Sequence, residues 1–309
     1  MTRPTTYQHL RLGTAPDSWG VWFPDDPNQV PWSTYLDEVQ AAGYVFTELG
    51  PHGYLPTDPA ILGEELAKRD LVLTGGATFA GLQRGATGLE QAKRDADLMA
   101  ATLVPLGAKY LVLLPESYTD LEGKHTASDT LNDEEWASLI DGMSELGAYV
   151  KAEHDLDLVL HSHADSHVRT RDEIARVVER TDPASVNLCL DTGHLAYYGV
   201  DSLQIIDEFP ERIRYVHLKQ VDPAIRARAH SENLGFGPAV ALGVMTEPPL
   251  GEPEMPPVLD ALERLGRELF CIVEQDLYPC EPTRPFPIAQ RTREYFASRG
   301  LGSGGAEPA

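Results

Sequence analysis

The stretch Val186–His194, with the sequence VNLCLDTGH, decides the fold because an apolar run ends abruptly in ionisable residues. Short runs of this kind are typical of strands that are covered on both faces. Asp191 follows the run directly, and a bare carboxylate is costly to bury. Asp191 must therefore be solvated, paired or bound to a metal ion. An N-cap for the next helix is an equally good interpretation of Asp191 alone.

The same pattern of a short apolar run followed by an amphipathic segment recurs along the chain. The predicted strands are Leu10–Thr14, Tyr44–Leu49, Leu71–Gly75, Tyr110–Leu114, Leu158–His161, Val186–Leu190, Ile213–Leu218 and Phe270–Glu274. The predicted helices are Ser33–Ala42, Pro59–Arg69, Leu89–Leu106, Asp133–Glu153, Arg171–Glu179, Leu203–Phe209, Pro256–Leu265 and Ile288–Ser298. Most of the helices carry apolar residues at i, i+3 or i+4.

Eight strand–helix units predict an α/β protein with a parallel sheet and right-handed crossovers, closed as a (β/α)₈ TIM barrel. A doubly wound open sheet is the alternative fold. It would normally carry a glycine-rich phosphate turn after its first strand, and Gly13–Pro16 is not such a turn. We expect one domain over residues 1–299 and a disordered Gly- and Ser-rich tail over 300–309.

Composition narrows the class of protein and its partners. The 48 acidic and 25 basic residues give a net charge of −23, which disfavours nucleic-acid binding because phosphates must be neutralised by Lys and Arg. No apolar run reaches the roughly 20 residues of a membrane helix, and the N-terminus lacks a signal peptide. We therefore expect a cytoplasmic protein without a membrane partner. The three cysteines show no metal-binding spacing and predict buried structural thiols. Homo-oligomer formation is left open.

Ionisable residues stand at the end of one predicted strand after another. They are Glu48, Glu116, His161, His163, Asp191, His194, His217, Lys219 and Glu274. In a barrel the carboxyl ends of all strands meet at one mouth. A single histidine at a strand end is more often structural, whereas a convergent set predicts a functional site. Two long segments that follow strands, 117–132 and 230–254, are expected to lie over this mouth or to be ordinary surface loops.

The residue types at these strand ends suit a divalent metal ion. His217 and Lys219 share one strand face, and neutral imidazole is a ligand for Mn²⁺, Co²⁺ or Zn²⁺. Asp191, His217 and Glu274 supply mixed oxygen and nitrogen ligands from three strands, and His161 is the expected fourth ligand. Lys219 then remains as a cation that could stabilise an oxyanion.

At these residues the chain resembles the xylose-isomerase-like sugar isomerase/epimerase superfamily of TIM barrels, and more narrowly its inosose dehydratase branch of inositol catabolism. The resemblance extends from Leu12 to about Phe296. The matching segments are Gly13–Trp19, Ala42–Gly50, Glu134–Trp136, Asp141–Met143, Asp191–Leu195, Val216–Lys219 and Val273–Asp276. The segment His161–Ser166 departs from the branch, which carries three histidines followed by Met-Gly-Thr, and Gln220 stands where aspartate is usual.

The resemblance implies Mn²⁺ or Co²⁺ as the cofactor, with Zn²⁺ and Mg²⁺ as alternatives. Residues that match its ligand positions are Asp191, His217 and Glu274, with His161 at a fourth position. Glu48 and Glu116 match acidic strand-end positions at the mouth.

The implied reaction is removal of water from a polyhydroxylated cyclic ketone such as 2-keto-myo-inositol. A carboxylate (Glu48, Glu116 or Glu274) would take the α proton, and a protonated His163 or His194 would assist the departing hydroxide. A ketose epimerase or isomerase acting through an enediolate is the main alternative, because the fold and metal do not fix the reaction. An apurinic-site endonuclease is disfavoured by the net charge of −23. A sugar-binding barrel without catalysis would need no converging metal ligands.

Overall fold

The strands of the computed structural model, which describes residues 7–302, form a parallel sheet that curves into a barrel. Nine segments make up this sheet: β1 (Leu10–Thr14), β2 (Phe46–Thr47), β3 (Val72–Leu73), β4 (Gly75–Ala80), β5 (Tyr110–Pro115), β6 (Asp157–His161), β7 (Val186–Asp191), β8 (Ile213–Leu218) and β11 (Leu269–Val273). Their spatial order is β3-β2-β1-β11-β8-β7-β6-β5-β4. Two further short strands, β9 (Gln220–Val221) and β10 (Met245–Thr246), pair antiparallel beside the barrel.

The barrel closes at Thr74, the residue between β3 and β4. The amide of Thr74 donates to the carbonyl of Thr47 at 3.0 Å, and the amide of Lys109 donates to the carbonyl of Thr74 at 3.3 Å. β3 and β4 are therefore one bent strand that joins both edges of the sheet, which confirms the predicted (β/α)₈ barrel. The predicted third strand ended too early. At Gly75 the strand passes so close to Tyr110 that a side chain would not fit, and pairing continues to Ala80.

Eleven α-helices occur within residues 7–302, and the longer ones surround the barrel. They are α1 (Trp32–Ala42), α2 (Pro59–Ala67), α3 (Ala86–Leu103), α4 (Asp133–His154), α5 (Arg171–Val178), α6 (Thr192–Tyr197), α7 (Ser202–Glu208), α8 (Pro223–Ser231), α9 (Phe236–Ala241), α10 (Met255–Glu263) and α11 (Pro285–Ser298). Eight of them correspond to the predicted helices. The additional ones, α6, α8 and α9, follow β7 and β8 and lie near the mouth. Each described helix is too short or too polar to cross a bilayer.

Aromatic rings fill the lower half of the barrel, where the strands begin. The ring of Tyr215 lies 4.9 Å from that of Tyr110 and 6.2 Å from that of Phe270, measured between centroids, and Phe46 packs on Phe270 at 5.2 Å. The ring of His217 lies 5.8 Å from that of Tyr215, one step toward the mouth. The core of the barrel therefore forms a floor beneath the predicted ligands.

The packed chain continues beyond residue 299, the predicted end of the domain. Leu301 is fully buried in the main core, and the Arg293 guanidinium donates to the carbonyl of Gly302 at 2.6 Å. The predicted tail therefore begins at least three residues too early. Residues 303–309 lie outside the described residues, and disorder there stays a prediction. Cys189 and Cys271 are buried free thiols in strands β7 and β11.

Candidate active site

The four predicted metal ligands come together at the mouth of the barrel. His161, Asp191, His217 and Glu274 stand at the ends of neighbouring strands β6, β7, β8 and β11, and all four are buried. One ligand atom from each lies within 4.8 Å of the others. Asp191 pairs directly with His217 in the register of β7 and β8. The strand ends thus produce a compact set of two imidazole nitrogens and two carboxylates.

The candidate ligand atoms face one another closely, and one imidazole nitrogen among them has no hydrogen-bond partner. His217 Nδ1 lies 2.8 Å from Glu274 Oε2 and 3.7 Å from Asp191 Oδ2, yet it has no aligned hydrogen-bond partner. His161 Nε2 lies 3.2 Å from Asp191 Oδ2. Buried polar atoms normally have partners, and a mixed nitrogen and oxygen set is what a divalent transition metal prefers. The residues therefore fit a divalent metal ion.

Both carboxylate ligands are ionised at neutral pH. Burial opposes the charge on Asp191, but the Lys219 ammonium outweighs it and holds the pKa of Asp191 well below its usual range. Burial likewise opposes the charge on Glu274, while His217 and Lys219 lower the pKa of Glu274 to about 2. Deprotonated carboxylates are the form that binds metal ions.

Asp191 caps a helix with one carboxylate oxygen and turns the other toward the candidate metal site. Its Oδ1 accepts hydrogen bonds from the amides of Gly193 at 2.8 Å and His194 at 2.7 Å, which caps helix α6. Its Oδ2 faces the other ligands. Gly193 is required here because a Cβ atom would lie 2.5 Å from the stem of Lys219. The turn after β7 therefore fixes the Asp191 carboxylate and leaves room for Lys219.

Glu48 lies behind His217 and orients its ring. The Nε2 atom of His217 is 2.8 Å from Glu48 Oε1, and both side chains are 2% exposed, so solvent does not weaken this bond. A proton on Nε2 leaves Nδ1 as the ligand atom, and a carboxylate partner makes a histidine ligand more basic. Glu48 also lines the cavity described below, so its predicted role as proton acceptor is compatible with its position.

We expect the Glu48→Gln variant to bind Mn²⁺ or Co²⁺ about 10- to 100-fold more weakly, the usual effect of losing a ligand's supporting carboxylate. Glutamine keeps one acceptor oxygen for His217 Nε2, removes the charge and replaces the second oxygen by an NH₂ group. Glu38→Gln is the matched control, because Glu38 also accepts from an aromatic ring, the Trp19 indole at 2.7 Å, but does not line the cavity. Titration calorimetry with the metal-free proteins gives both affinities, and equal affinities would contradict the role of Glu48.

Lys219 is a fully buried cation among carboxyl groups. Its Nζ lies 2.9 Å from Asp276 Oδ2, 3.1 Å from Glu274 Oε2 and 3.7 Å from Asp17 Oδ2. Burial opposes its charge, but Asp191 and the other carboxylates raise the pKa of Lys219 well above its usual range. Lys219 is therefore protonated at the centre of the site, as the sequence predicted.

Asp17 and Asp276, for which no role was predicted, both line the cavity. Asp17 follows β1 within the Gly13–Trp19 motif, and Asp276 stands two residues after Glu274. The strand-end rule that identified the other acids would have found both. Asp17 Oδ1 is buried and has no hydrogen-bond partner.

Burial disfavours the protonated form of His163 and His194, the two residues predicted to act as an acid. Burial and the nearby His161 and Lys219 lower the pKa of His163 to about 3. Burial and His163 hold the pKa of His194 well below its usual range. The centroids of the two rings lie 4.0 Å apart with their planes tilted by 37°, and His163 Nδ1 lies 2.7 Å from the carbonyl oxygen of Ala164. Both rings are neutral at pH 7 and serve as hydrogen-bonding groups.

The prediction that Glu116 belongs to the site is also wrong. β5 ends at Pro115, and the chain then passes over the turn at Leu82–Arg84, whose polar side chains hold the carboxylate. Glu116 Oε1 lies 3.1 Å from Arg84 Nη2, and Oε2 accepts from Gln83 Nε2 at 3.0 Å. The side chain is 39% exposed and does not line the cavity.

A cavity of about 830 Å³ opens above the ligands. Its lower part is polar and includes His161, His217, Lys219 and Glu274, whereas aromatic and aliphatic side chains line the opening. Cavities of this size accommodate small organic molecules. A bound polyol would meet charged groups at the bottom and apolar side chains at the opening.

Comparison with known proteins agrees with this geometry. Residues 36–294 match the family described as Xylose isomerase-like TIM barrel. The chain is 32% identical over 295 residues to inosose dehydratase of Geobacillus thermodenitrificans, an alignment that covers 93% of this chain and 96% of that protein. It is 30% identical over 294 residues to inosose dehydratase of Lacticaseibacillus casei, with 93% and 96% covered.

Solved structures share the fold. The IolI protein with a bound zinc atom superposes with a TM-score of 0.70 at 18% identity, covering 94% of this chain and 98% of that one. The probable 3-DHS dehydratase AsbF of Bacillus anthracis superposes with a TM-score of 0.69 at 11% identity, covering 93% and 98%. The barrel, the convergent strand-end residues and the sequence match over 93% of the chain lead to one conclusion: the chain belongs to the xylose isomerase-like TIM barrel family.

Proposed function

We propose that the chain is a metal-dependent inosose dehydratase, a lyase that removes water from a polyhydroxylated cyclic ketone such as 2-keto-myo-inositol. The observation that carries the proposal is the convergence of His161, Asp191, His217 and Glu274 beneath a cavity of about 830 Å³. Relatives named inosose dehydratase match over nearly their whole length, which supports the choice of reaction.

The proposed cofactor is Mn²⁺ or Co²⁺, with Zn²⁺ and Mg²⁺ as alternatives, held by His161, Asp191, His217 and Glu274. Such an ion would act as a Lewis acid that makes the proton next to the ketone more acidic. The two imidazoles favour a transition metal over Mg²⁺, which prefers oxygen ligands.

The residues of this chain would divide the proton transfers between them. Glu48 would take the α proton, whose C–H electron pair forms the new C=C bond as the neighbouring C–O bond breaks. Lys219 would place its ammonium near the oxygen on which negative charge develops. Burial and Glu274 raise the pKa of Asp17 well above its usual range, so Asp17 could give the departing hydroxide a proton. The products are water and an enol that becomes the dione.

The proposal is tested by incubating the enzyme with 2-keto-myo-inositol and Mn²⁺ or Co²⁺ and identifying the product by mass spectrometry and NMR. We expect a dione that is lighter than the ketone by one water. Enzyme treated with a chelator should be inactive, and adding metal back should restore activity. A product of unchanged mass with an inverted carbon would instead assign the enzyme as an epimerase. A duplex with an abasic site should remain uncut.

A further inference from the structure

Segments 117–132 and 230–254, which were expected to lie over the mouth or to be ordinary surface loops, pack on each other above the cavity. We call residues 117–132 and 230–241 together the roof. A Cβ atom on Gly235 would lie 2.5 Å from the Cα of Gly123, and one on Gly237 would lie 2.3 Å from the carbonyl of Leu121. Leu121 and Gly237 both line the cavity. The two halves of the roof are thus in backbone contact above the site.

A single buried carboxylate, Asp165, binds both halves of the roof. Its Oδ2 accepts hydrogen bonds from Thr119 Oγ1 and from the amide of Phe236, each at 2.7 Å. Its Oδ1 accepts from the Tyr198 hydroxyl at 3.0 Å and from the Tyr118 hydroxyl at 3.4 Å. Hydrogen bonds to an ionised acceptor are stronger than those between neutral groups. Four donors from three separate segments therefore meet on one side chain.

The backbone of Asp165 makes two further hydrogen bonds, one to the roof and one to Tyr198. Its carbonyl accepts from the amide of Tyr118 at 2.8 Å, and its amide donates to the Tyr198 hydroxyl at 3.2 Å. Asp165 has a φ of +55°, a left-handed conformation that is uncommon outside glycine and persists where the surroundings enforce it. The residue lies four positions after His161, so it ties the roof to the strand end that carries a predicted ligand.

The hydrogen bond from the Phe236 amide to Asp165 places the Phe236 ring above the site. The ring of Phe236 packs 5.0 Å from that of His194 and 5.5 Å from that of His163, and it lines the cavity. We propose that Asp165 is a positioning residue that holds the roof closed and keeps Phe236 over these two histidines. The closed roof would exclude water from the reacting ketone. Asp165 itself does not line the cavity. Of the measurements that test this role, only kcat/KM for 2-keto-myo-inositol rests on the proposed function.

The Asp165→Asn variant tests the proposal. Asparagine tolerates the left-handed conformation, but its amide NH₂ would face donors where the carboxylate offers acceptors. We expect faster hydrogen exchange at the amides of Tyr118 and Phe236 in the absence of substrate. We also expect kcat/KM for 2-keto-myo-inositol to fall on the order of 100-fold, mainly through a higher KM. The number of Mn²⁺ ions bound per chain should not change, because the ligands stand on the strands.

Asp155→Asn is the matched control. Asp155 has a similar φ of +53°, but it is an exposed C-cap of α4, and its carboxylate pairs with surface lysines. The proposal is overturned if the two variants show the same exchange rates at the roof, or if the Asp165 variant loses Mn²⁺ together with activity.

Thr119→Val removes one hydrogen-bond donor to Asp165 Oδ2 and provides the test if the Asp165→Asn variant does not fold. Thr119→Val should also show faster hydrogen exchange at the roof and a lower kcat/KM, but both changes should be smaller than in Asp165→Asn. If 2-keto-myo-inositol is not the substrate, wild type is inactive but the exchange result stands.

Discussion

Replacement of His217 by alanine is expected to remove bound metal and activity together. In the proposed metal site His217 Nδ1 would be a ligand atom at the centre of the cluster, since it lies 2.8 Å from Glu274 Oε2 and 3.7 Å from Asp191 Oδ2. Losing a supporting partner of a ligand already costs about 10- to 100-fold in metal affinity, so loss of the ligand itself should cost more than about 100-fold. Metal content after dialysis and the dehydration rate are the two measurements.

The matched control for this variant is His154→Ala. His154 is a histidine on the surface at the end of α4, where its Nε2 lies 2.7 Å from Asp97 Oδ1, far from the ligands in the fold. It should retain full metal content and turnover. Asp191→Ala should also lose metal and activity, but it additionally removes the cap of α6, at a cost of about 1 kcal/mol. His217→Ala that keeps both metal and turnover would refute the ligand assignment.

The Lys219→Met variant is expected to show a large fall in kcat. Methionine preserves most of the length of the side chain and removes the ammonium that lies near Asp276 and Glu274. Loss of one preorganised group that stabilises an oxyanion lowers kcat by about 10²- to 10³-fold. Metal binding should persist, because Lys219 is not a ligand and its positive charge repels a cation. Steady-state kinetics at saturating metal separates this loss from a loss of cofactor.

The same variant should destabilise the metal-free protein. Removing one partner from a buried charge pair costs about 3–5 kcal/mol because the other charge is left uncompensated. Lys109→Met is the control: the exposed Lys109 lies 3.3 Å from exposed Asp155, and such surface pairs contribute about 0–1 kcal/mol. Urea unfolding of the metal-free variants gives both values. Equal stability of Lys219→Met and wild type would contradict the account of Lys219 as the counter-ion of the site.

The barrel and the convergence of His161, Asp191, His217 and Glu274 could be predicted because each depends on local pattern. Apolar runs predicted the strands, and the alternation of side chains along a strand placed His217 and Lys219 on the same face. The carboxyl ends of the parallel strands of a barrel meet at one mouth, and this does not depend on the conformation of the loops. The bend at Thr74 was not predictable, because it follows from contact between Gly75 and Tyr110, which are 35 positions apart in the sequence.

The errors arose where tertiary contacts override position in the sequence. Glu116 follows a strand like the other acids, but Arg84 and Gln83 from a neighbouring turn hold its carboxylate outside the cavity. The charge state of His163 depends on burial and on Lys219, which is 56 residues away in the chain. Neither effect has a signature in the local sequence.

The layer of rings below His217 gives the catalytic chamber a closed bottom. Tyr110, Tyr215 and Phe270 fill the space through which a tunnel along the barrel axis would have to run. Substrate, product and the released water must then share one doorway, which the exposed side chains of Phe23 and Phe79 line. Traffic through a shared doorway is sequential, so departure of the products precedes arrival of the next substrate.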